Sequence, residues 1–200
     1  MAAGASSSDG PAPAASGPAG PGRWVLIVGP SGAGKDAVLQ MARGQLADDA
    51  RFFFPRRVVT RALNAAEDHA SLSRTQFEAQ LARGAFALHW QAHGLCYGIP
   101  ADAEAAARAG RAVVFNASRL AVSVARSRFA SVSAVLIDAP LEVRAARLAK
   151  RNRESPEEAL ARLGRIVTGF DAADADLAID NMGTLAEAAD RLVAWLRALP

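Results

Sequence analysis

A short apolar run, a glycine-rich loop and a helical stretch follow one another near the start of the chain, and this succession constrains the fold most. Its letters are WVLIV (24–28), GPSGAGKD (29–36) and AVLQMA (37–42). A continuous apolar run of this length is typical of a buried strand. Glycines let backbone N–H groups converge on phosphate oxygens, and a helix N-terminus adds partial positive charge. The pattern predicts a strand–loop–helix unit that binds phosphate through Gly29, Pro30, Ser31, Gly32, Ala33, Gly34, Lys35 and Asp36.

The lysine of this loop stands out against the composition of the chain. Only two of the 23 basic residues are lysines, Lys35 and Lys150, and the others are arginines. A lysine retained where the loop needs a compact charge for the outer phosphates strengthens the prediction of a nucleotide site.

The loop departs from the usual pattern G-x-x-x-x-G-K-[ST] at its last letter, which is Asp36. The usual hydroxyl at this position binds Mg²⁺, and a carboxylate is also a good ligand for that ion. Phosphate oxygens would repel the carboxylate unless a cation lay between them, so we expect Asp36 to be a metal ligand. The alternative is that Asp36 only stabilises the helix dipole.

Apolar runs and helical patterns alternate along the rest of the chain. Extended segments are predicted at RRVVT, FALHW, LCYGI, RAVVFN, SAVLID and DLAIDN. Helices are predicted at DAVLQMARGQL, SRTQFEAQLARG, DAEAAARAG, PLEVRAARLAKR, SPEEALARLGRIV and TLAEAADRLVAWLRAL. The second of these is predicted to be capped by Ser73 and ended by Gly84. This alternation predicts an α/β fold of three layers with a parallel sheet as its core. Residues 1–22 are rich in Ala, Gly, Pro and Ser and are expected to form a disordered tail, so residues 23–200 form the expected domain.

Arginines and histidines are concentrated between the second predicted strand and Tyr97. Arg57 and Arg61 fall on one face if RRVVTR is extended, and paired guanidinium groups suit a phosphorylated ligand. All three histidines, His69, His89 and His93, follow this strand. His89 and His93 have the spacing of a zinc pair, but HWQAH lacks the glutamate of H-E-x-x-H and is predicted to be extended, so we do not expect zinc. The histidines either contact a substrate or are buried structural residues.

Composition narrows the classes of function. The net charge is only +3 and basic residues form no block, so nucleic-acid binding is not expected. A single cysteine, Cys96, excludes an internal disulfide and suits a reducing compartment. Neither a signal peptide nor an apolar run long enough for a membrane span is visible. A cytoplasmic protein is therefore expected, and a homodimer stays open as its assembly.

The motifs together resemble those of the guanylate kinase superfamily. The matching stretches lie between Trp24 and Leu185 and read GPSGAGK, VVTRALNAAEDH, HGLCYGIP and DAPLEVRAARLAKRNRESPEEALARL. Within the superfamily, the letters GKD, TR…EDH, FALHW-AHGL-YGIP and NRES resemble the ribose 1,5-bisphosphate phosphokinase family of phosphonate breakdown. The resemblance implies a P-loop kinase with an acceptor-binding segment near 56–100 and a lid near 140–165.

The family resemblance also implies a reaction and roles for residues. The family transfers the γ-phosphoryl group of ATP, with Mg²⁺, to ribose 1,5-bisphosphate and forms 5-phosphoribosyl 1-diphosphate. By this resemblance Lys35 and the lid arginines are expected to act on the transferred group, and the acceptor is expected to be a small sugar phosphate. The lid arginines are Arg147, Arg151 and Arg162, with a solvated helix face as the alternative for each. The expected acceptor contacts are Arg57, Arg61, His69, His89 and Tyr97.

Departures from the guanylate kinases favour an acceptor other than a purine nucleotide. Those enzymes have a tyrosine where this chain has His69, and their guanine-reading glutamate corresponds to His89, or to Leu88 if a gap is placed differently. They also have an acidic residue where this chain has Asn116, which suggests that the metal-facing carboxylate has moved to Asp36. A nucleoside monophosphate kinase and a non-catalytic guanylate-kinase-like binding module remain the alternatives.

Overall fold

The computed structural model describes residues 22–61, 69–92, 94–152, 170 and 172–200, with only the backbone of residues 151 and 152. Five parallel strands form its central sheet, and each pairing is in the same direction. In spatial order the strands are β2 (Phe52–Phe53), β7 (Ala112–Asn116), β1 (Trp24–Val28), β8 (Val132–Asp138) and β9 (Leu177–Asp180). The expected parallel α/β core is confirmed.

The central strand β1 is buried along its whole length. All five of its side chains are 0% exposed, as expected for a parallel strand covered on both faces. Because side chains alternate along a strand, Leu26 and Ile27 contribute to different core clusters on the two sides of the sheet. The continuous apolar run WVLIV is therefore explained by burial on both sides.

A second sheet of four strands lies beside the central one. Its strands in spatial order are β4 (His69–Ser71), β3 (Arg57–Val59), β6 (Leu95–Pro100) and β5 (Phe86–Ala92). β3 and β4 are parallel, whereas β6 is antiparallel to both β3 and β5. Leu88, Trp90 and Ile99 of this sheet share a core cluster with Trp24 and Phe115 of the central sheet. The two sheets thus pack through one continuous apolar core.

Six α-helices cover the sheets in the described part of the chain. They are α1 (Lys35–Gln45), α2 (Arg74–Ala82), α3 (Asp102–Arg108), α4 (Leu120–Arg128), α5 (Leu141–Asn152) and α6 (Leu185–Arg197). The predicted cap of α2 is confirmed, because the Ser73 side chain accepts from the Gln76 backbone N–H while the Gln76 side chain accepts from the Ser73 N–H. α4 and the short strands β2 and β4 were not predicted. The predicted tail 1–22 lies almost entirely outside the described residues.

Candidate active site

The glycine-rich loop Gly29–Asp36 follows β1 and ends in the first turn of α1, in the strand–loop–helix context that the sequence predicted. Its first glycine has φ of 144°, a value that residues with a side chain rarely adopt. A Cβ atom at Gly29 would also collide with the backbone carbonyl of Ile137 on the neighbouring strand β8. The loop can therefore pass this close to the sheet only because residue 29 is glycine.

The Lys35 side chain forms hydrogen bonds to the backbone of its own loop. Its Nζ donates to the carbonyl oxygens of Gly29 and Pro30, at 2.8 and 2.9 Å. The ammonium group is thus held across the first turn of the loop, beside the N-terminus of α1. A positive charge in this position, together with the partial charge of the helix end, favours an anion in the loop.

Asp36 lies in a polar group with Asn116 and Arg57, which come from three different elements. The Asn116 amide donates from Nδ2 to the Asp36 Oδ1 at 2.7 Å. Arg57 donates from one nitrogen to the Asn116 backbone oxygen at 3.3 Å, and another nitrogen lies 4.0 Å from the same Asp36 oxygen. The two positions that the sequence analysis linked, residues 36 and 116, are therefore in direct contact.

The oxygen atoms of this group fit a magnesium ion. The Asn116 Oδ1 is buried and has no hydrogen-bond partner among the described residues, while the Asp36 side chain is 37% exposed. Mg²⁺ takes oxygen ligands and keeps several of its waters. In phosphate-binding sites it is usually held by one or two carboxylates together with phosphate oxygens of the ligand. The described residues contain no cluster of three or more His, Cys, Asp and Glu side chains that would build an all-protein site. Asp36 with Asn116 is thus a suitable half-site for Mg²⁺.

Arg57 also borders a wall of aromatic residues on the second sheet. Its guanidinium carbon lies 5.5 Å from the centre of the Tyr97 ring, and Tyr97 stacks on Trp90 with centroids 5.3 Å apart. His69 is the register partner of Arg57 in a parallel pair, so the two side chains lie on the same face of the sheet. His69 is fully buried and Arg61 half-buried. Trp90 was not singled out by the sequence analysis.

His89 lies on the other face of the second sheet. It is opposite Gly98 in the antiparallel pairing, whereas Trp90 is opposite Tyr97, and successive side chains of a strand alternate between faces. Its side chain is exposed, and its pKa is lowered by partial burial and by the charge of Arg128 on α4. The structure therefore does not bring His89 to Arg57 and Tyr97, and His93 lies outside the described residues.

Leu88, the other position that could correspond to a base-reading glutamate, is a core residue. It is 1% exposed and belongs to the cluster that joins the two sheets. Neither position thus supplies a carboxylate for reading a guanine edge.

Of the three predicted lid arginines, only the Arg147 side chain is described. Arg147, on α5, donates to the backbone oxygen of Asn181 at 2.9 Å and to that of Ala33 at 3.4 Å. It therefore contacts the phosphate loop through the backbone of the loop. Arg162 and the side chain of Arg151 lie outside the described residues, as does part of the predicted lid 140–165.

A cavity of about 620 Å³ opens next to Asp36. It reaches from the polar group of Asp36, Arg57 and Asn116 along α1, and its volume is in the range of small-molecule sites. The far part of its lining is mixed and includes Arg43, Phe54 and Arg111. Apolar walls with charged groups in both the near and the far part of the lining suit a small polar ligand.

The fold and the phosphate loop define the class of this protein, which is a P-loop protein with the guanylate-kinase-like fold. A guanylate kinase from Anaplasma phagocytophilum superimposes with a TM-score of 0.65 at 19% identity, over 90% of this chain and 86% of that one. A gluconokinase from Sinorhizobium meliloti gives a TM-score of 0.51 at 18% identity, over 88% and 92% of the two chains. These likenesses concern the fold alone.

Sequence relatives identify the family more narrowly. The chain is 50% identical to ribose 1,5-bisphosphate phosphokinase PhnN of Rhodopseudomonas palustris, over 86% of this chain and 88% of the relative. It is 47% identical to the protein of the same name from Methylobacterium radiotolerans, over 89% and 99% of the two chains. No protein-family model matches. The chain belongs to the ribose 1,5-bisphosphate phosphokinase family, which confirms the resemblance found in the sequence.

Proposed function

We propose that this protein transfers the γ-phosphoryl group of ATP to ribose 1,5-bisphosphate, giving 5-phospho-α-D-ribose 1-diphosphate and ADP in phosphonate breakdown. The relatives carry the name of this reaction. The observation that carries the proposal is that an intact phosphate loop, closed by Lys35, lies beside a cavity whose near wall contains Asp36 and Arg57. A phosphoryl donor and a phosphorylated acceptor can meet at that point.

The donor phosphates are assigned to the loop Gly29–Asp36. Backbone N–H groups and the Lys35 ammonium would neutralise the charge of the β- and γ-phosphates. Mg²⁺, when bound, would offset part of the charge on these phosphates. Asp36 and the Oδ1 of Asn116 would hold the ion, and the Asn116 N–H bond to Asp36 keeps the carboxylate at this end of the cavity.

The acceptor is assigned to Arg57, Arg61, His69 and Tyr97. Of these, Arg57, His69 and Tyr97 share a face of the second sheet. Guanidinium groups bind phosphates through paired hydrogen bonds, and Tyr97 offers a hydroxyl to sugar oxygens. The attacking oxygen belongs to the 1-phosphate, which is largely ionised at neutral pH because the second pKa of a phosphate monoester is about 6. No general base is therefore required, and none is assigned.

Two of the predicted lid arginines remain assigned to the closing step. Arg151 and Arg162 would approach the transferred group as the site excludes water and offset its charge. For Arg147, the hydrogen bonds to Ala33 and Asn181 favour a role in holding the phosphate loop.

We also propose that the protein works in the cytoplasm. Among the described residues, no helix is long and apolar enough to cross a membrane.

A nucleoside monophosphate kinase is the second candidate, because the fold is shared with guanylate kinases. Leu88 and His89 disfavour it, since a pocket that reads a base by hydrogen bonds loses discrimination when its partner is missing. A non-catalytic module is disfavoured by the complete phosphate loop.

ADP release measured with ribose 1,5-bisphosphate and, in parallel, with GMP tests the proposal. We expect turnover with the sugar bisphosphate and little with GMP, and Lys35→Met should abolish both. Preferred turnover of GMP would establish the second candidate instead, and absence of Mg-dependent ATP binding by calorimetry would favour the module.

A further inference from the structure

Asn181, directly after β9, is a buried polar residue that the sequence did not single out. It is 2% exposed, and its backbone N–H donates to the Asp138 oxygen at 2.8 Å, which fixes it to the end of β8. Its side-chain Nδ2 donates to the Ala33 carbonyl at 2.8 Å, across 148 positions of sequence. The amide thus joins the edge of the central sheet to the middle of the phosphate loop.

Arg147 holds the same loop carbonyl from α5. Its guanidinium donates to Ala33 at 3.4 Å and to the Asn181 backbone oxygen at 2.9 Å. The fit is tight, since a Cβ atom built at Gly34 would lie 2.5 Å from the Asn181 Nδ2. The peptide between Ala33 and Gly34 is therefore held on its carbonyl side by two side chains from different elements.

Because a peptide group is planar, holding the Ala33 carbonyl also fixes the direction of the Gly34 N–H. In a trans peptide the C=O and the following N–H point in opposite directions. The chain contains no cis peptide among its described residues. Fixing the Ala33 carbonyl toward Asn181 and Arg147 therefore turns the Gly34 N–H away from both of them.

The acceptor atom of the Asn181 amide argues against a purely structural role. Its Oδ1 is buried and has no hydrogen-bond partner among the described residues. An unpaired buried oxygen is unfavourable, and an apolar side chain of similar size would avoid this cost. Retaining the amide makes sense if its N–H donor is needed.

We propose that Asn181 is a positioning residue for the donor nucleotide: it fixes the Ala33–Gly34 peptide so that the Gly34 N–H is presented to the phosphates of ATP. Arg147 supports the same peptide and links it to α5. The proposal rests on the proposed function, in that the loop binds a nucleotide phosphate.

Asn181→Asp is the most direct variant, because it keeps the shape and replaces the N–H donor with an oxygen. We expect the KM for MgATP to rise by about tenfold or more, the usual effect of losing a buried hydrogen bond, while the KM for the acceptor changes little. Protonation would restore a donor, and burial beside a carbonyl raises the pKa of a carboxyl group. The loss should therefore shrink from about pH 8 to about pH 6, unlike the wild type.

Two further variants complete the test. Met182→Asp is the matched control, because it adds the same charge at the next position on an exposed side chain and should leave the KM for MgATP unchanged. Asn181→Ala removes the donor without adding charge, and it tests the proposal by the same KM ratio if Asn181→Asp does not fold.

The outcomes separate this inference from the proposed function. Wild-type protein that fails to bind MgATP in calorimetry would overturn both. Wild-type binding with an unchanged KM for MgATP in a folded Asn181 variant would overturn the positioning role alone, as would an equal rise in both KM values.

Discussion

Asp36 is the acidic residue of the polar group that borders the cavity. Its neighbours explain how a carboxylate can occupy the last position of a phosphate loop. The Asn116 amide donates to one of its oxygens, and Arg57 supplies a positive charge 4.0 Å away. Both contacts hold the Asp36 side chain in place, and a carboxylate is a good ligand for Mg²⁺. The position of Asp36 in the first turn of α1 also lets its charge interact favourably with the helix dipole.

Asp36→Asn removes the charge and keeps the size of the side chain. If Asp36 binds the metal, the Mg²⁺ concentration for half-maximal activity should rise by about tenfold or more, because a carboxylate ligand is lost. Steady-state rates measured over a Mg²⁺ titration give this value. Asp48→Asn, an exposed acid beyond α1, serves as the control.

The contact with Asn116 makes this prediction sharper. Asn116→Asp should also impair activity, since it would place two carboxylates in contact at the 2.7 Å position. Exchanging both residues, in the double variant Asp36→Asn with Asn116→Asp, restores one donor and one acid. We expect it to be more active than either single variant. Additive losses, or an unchanged Mg²⁺ requirement in Asp36→Asn, would contradict metal binding by this pair.

Arg57 lies between Asp36 and the Tyr97 ring, and the adjacent Arg56 provides a matched control. Arg57→Lys keeps the charge but loses the paired donors, so the KM for the acceptor should rise by about tenfold while the KM for MgATP stays near the wild-type value. Arg56→Lys should behave as wild type, because Arg56 is exposed and contacts His69 through a hydrogen bond to its backbone oxygen. Equal effects of the two variants on the acceptor KM would argue against a specific role of Arg57.

At the scale of elements, the phosphate loop was the most predictable part of the molecule. Its letters specify the strand before it, the helix after it and the glycines that its backbone needs. Strands β5 and β6 were also predicted, from the apolar runs FALHW and LCYGI. α4 was missed because LAVSVARSR has no clear apolar stripe and no side-chain cap. β2 and β4 were missed because strands of two or three residues leave no period to detect.

Gly34 is a position where the loop and the hold by Asn181 can be tested together. It has φ of 91°, and a Cβ atom would lie 2.5 Å from the Asn181 Nδ2. Gly34→Ala should therefore weaken MgATP binding by more than about tenfold in calorimetry.

Gly84→Ala is the control for Gly34→Ala. Gly84 has φ of 71° but nothing within 4 Å of a built Cβ atom. It should lower the free energy of unfolding by about 1 kcal/mol through backbone strain, with ATP affinity unchanged. Urea unfolding of both variants separates strain from loss of the site. Normal ATP affinity in Gly34→Ala would contradict the account of the loop.

His89, on β5, is expected to make the stability of the protein depend on pH. Partial burial and Arg128 lower the pKa of His89 below its usual value of about 6.5. The unfolded chain then binds more protons than the folded one, so stability falls as the pH drops below about 6.5 and toward the lowered pKa. His89→Gln should reduce the difference in urea midpoint between about pH 7.5 and about pH 5.5. An equal difference in wild type and variant would show that other groups cause it.

At the scale of the whole molecule, the site forms where the two sheets meet. β7 ends at Asn116, β3 begins at Arg57 and α1 begins next to Asp36, while the core behind them is shared. The sequence could indicate which residue types belong to such a site. It could not indicate that Asn116 bonds to Asp36 or that Asn181 bonds to Ala33, because no local pattern encodes contacts 80 and 148 residues apart.

The sheet face on which His89 lies also could not be predicted from the sequence. The sequence places it close to Tyr97, but a register shift between Phe86 and Leu88 precedes it in β5, and the pairing with Gly98 turns it to the opposite face. Which face a residue occupies depends on this register, which a single sequence does not reveal. Its predicted contact with the acceptor remains a prediction that the geometry does not support.

If the proposed function is correct, the phosphate loop delivers the γ-phosphoryl group to the 1-phosphate of ribose 1,5-bisphosphate. Phosphorus NMR of the product formed from MgATP and this sugar tests the transfer. We expect two coupled signals of a sugar diphosphate at C1 beside an unchanged 5-phosphate monoester, with ADP formed in equal amount. A product that carries the new phosphoryl group at the 5-phosphate or on a hydroxyl, or ADP formed with free phosphate alone, would contradict it.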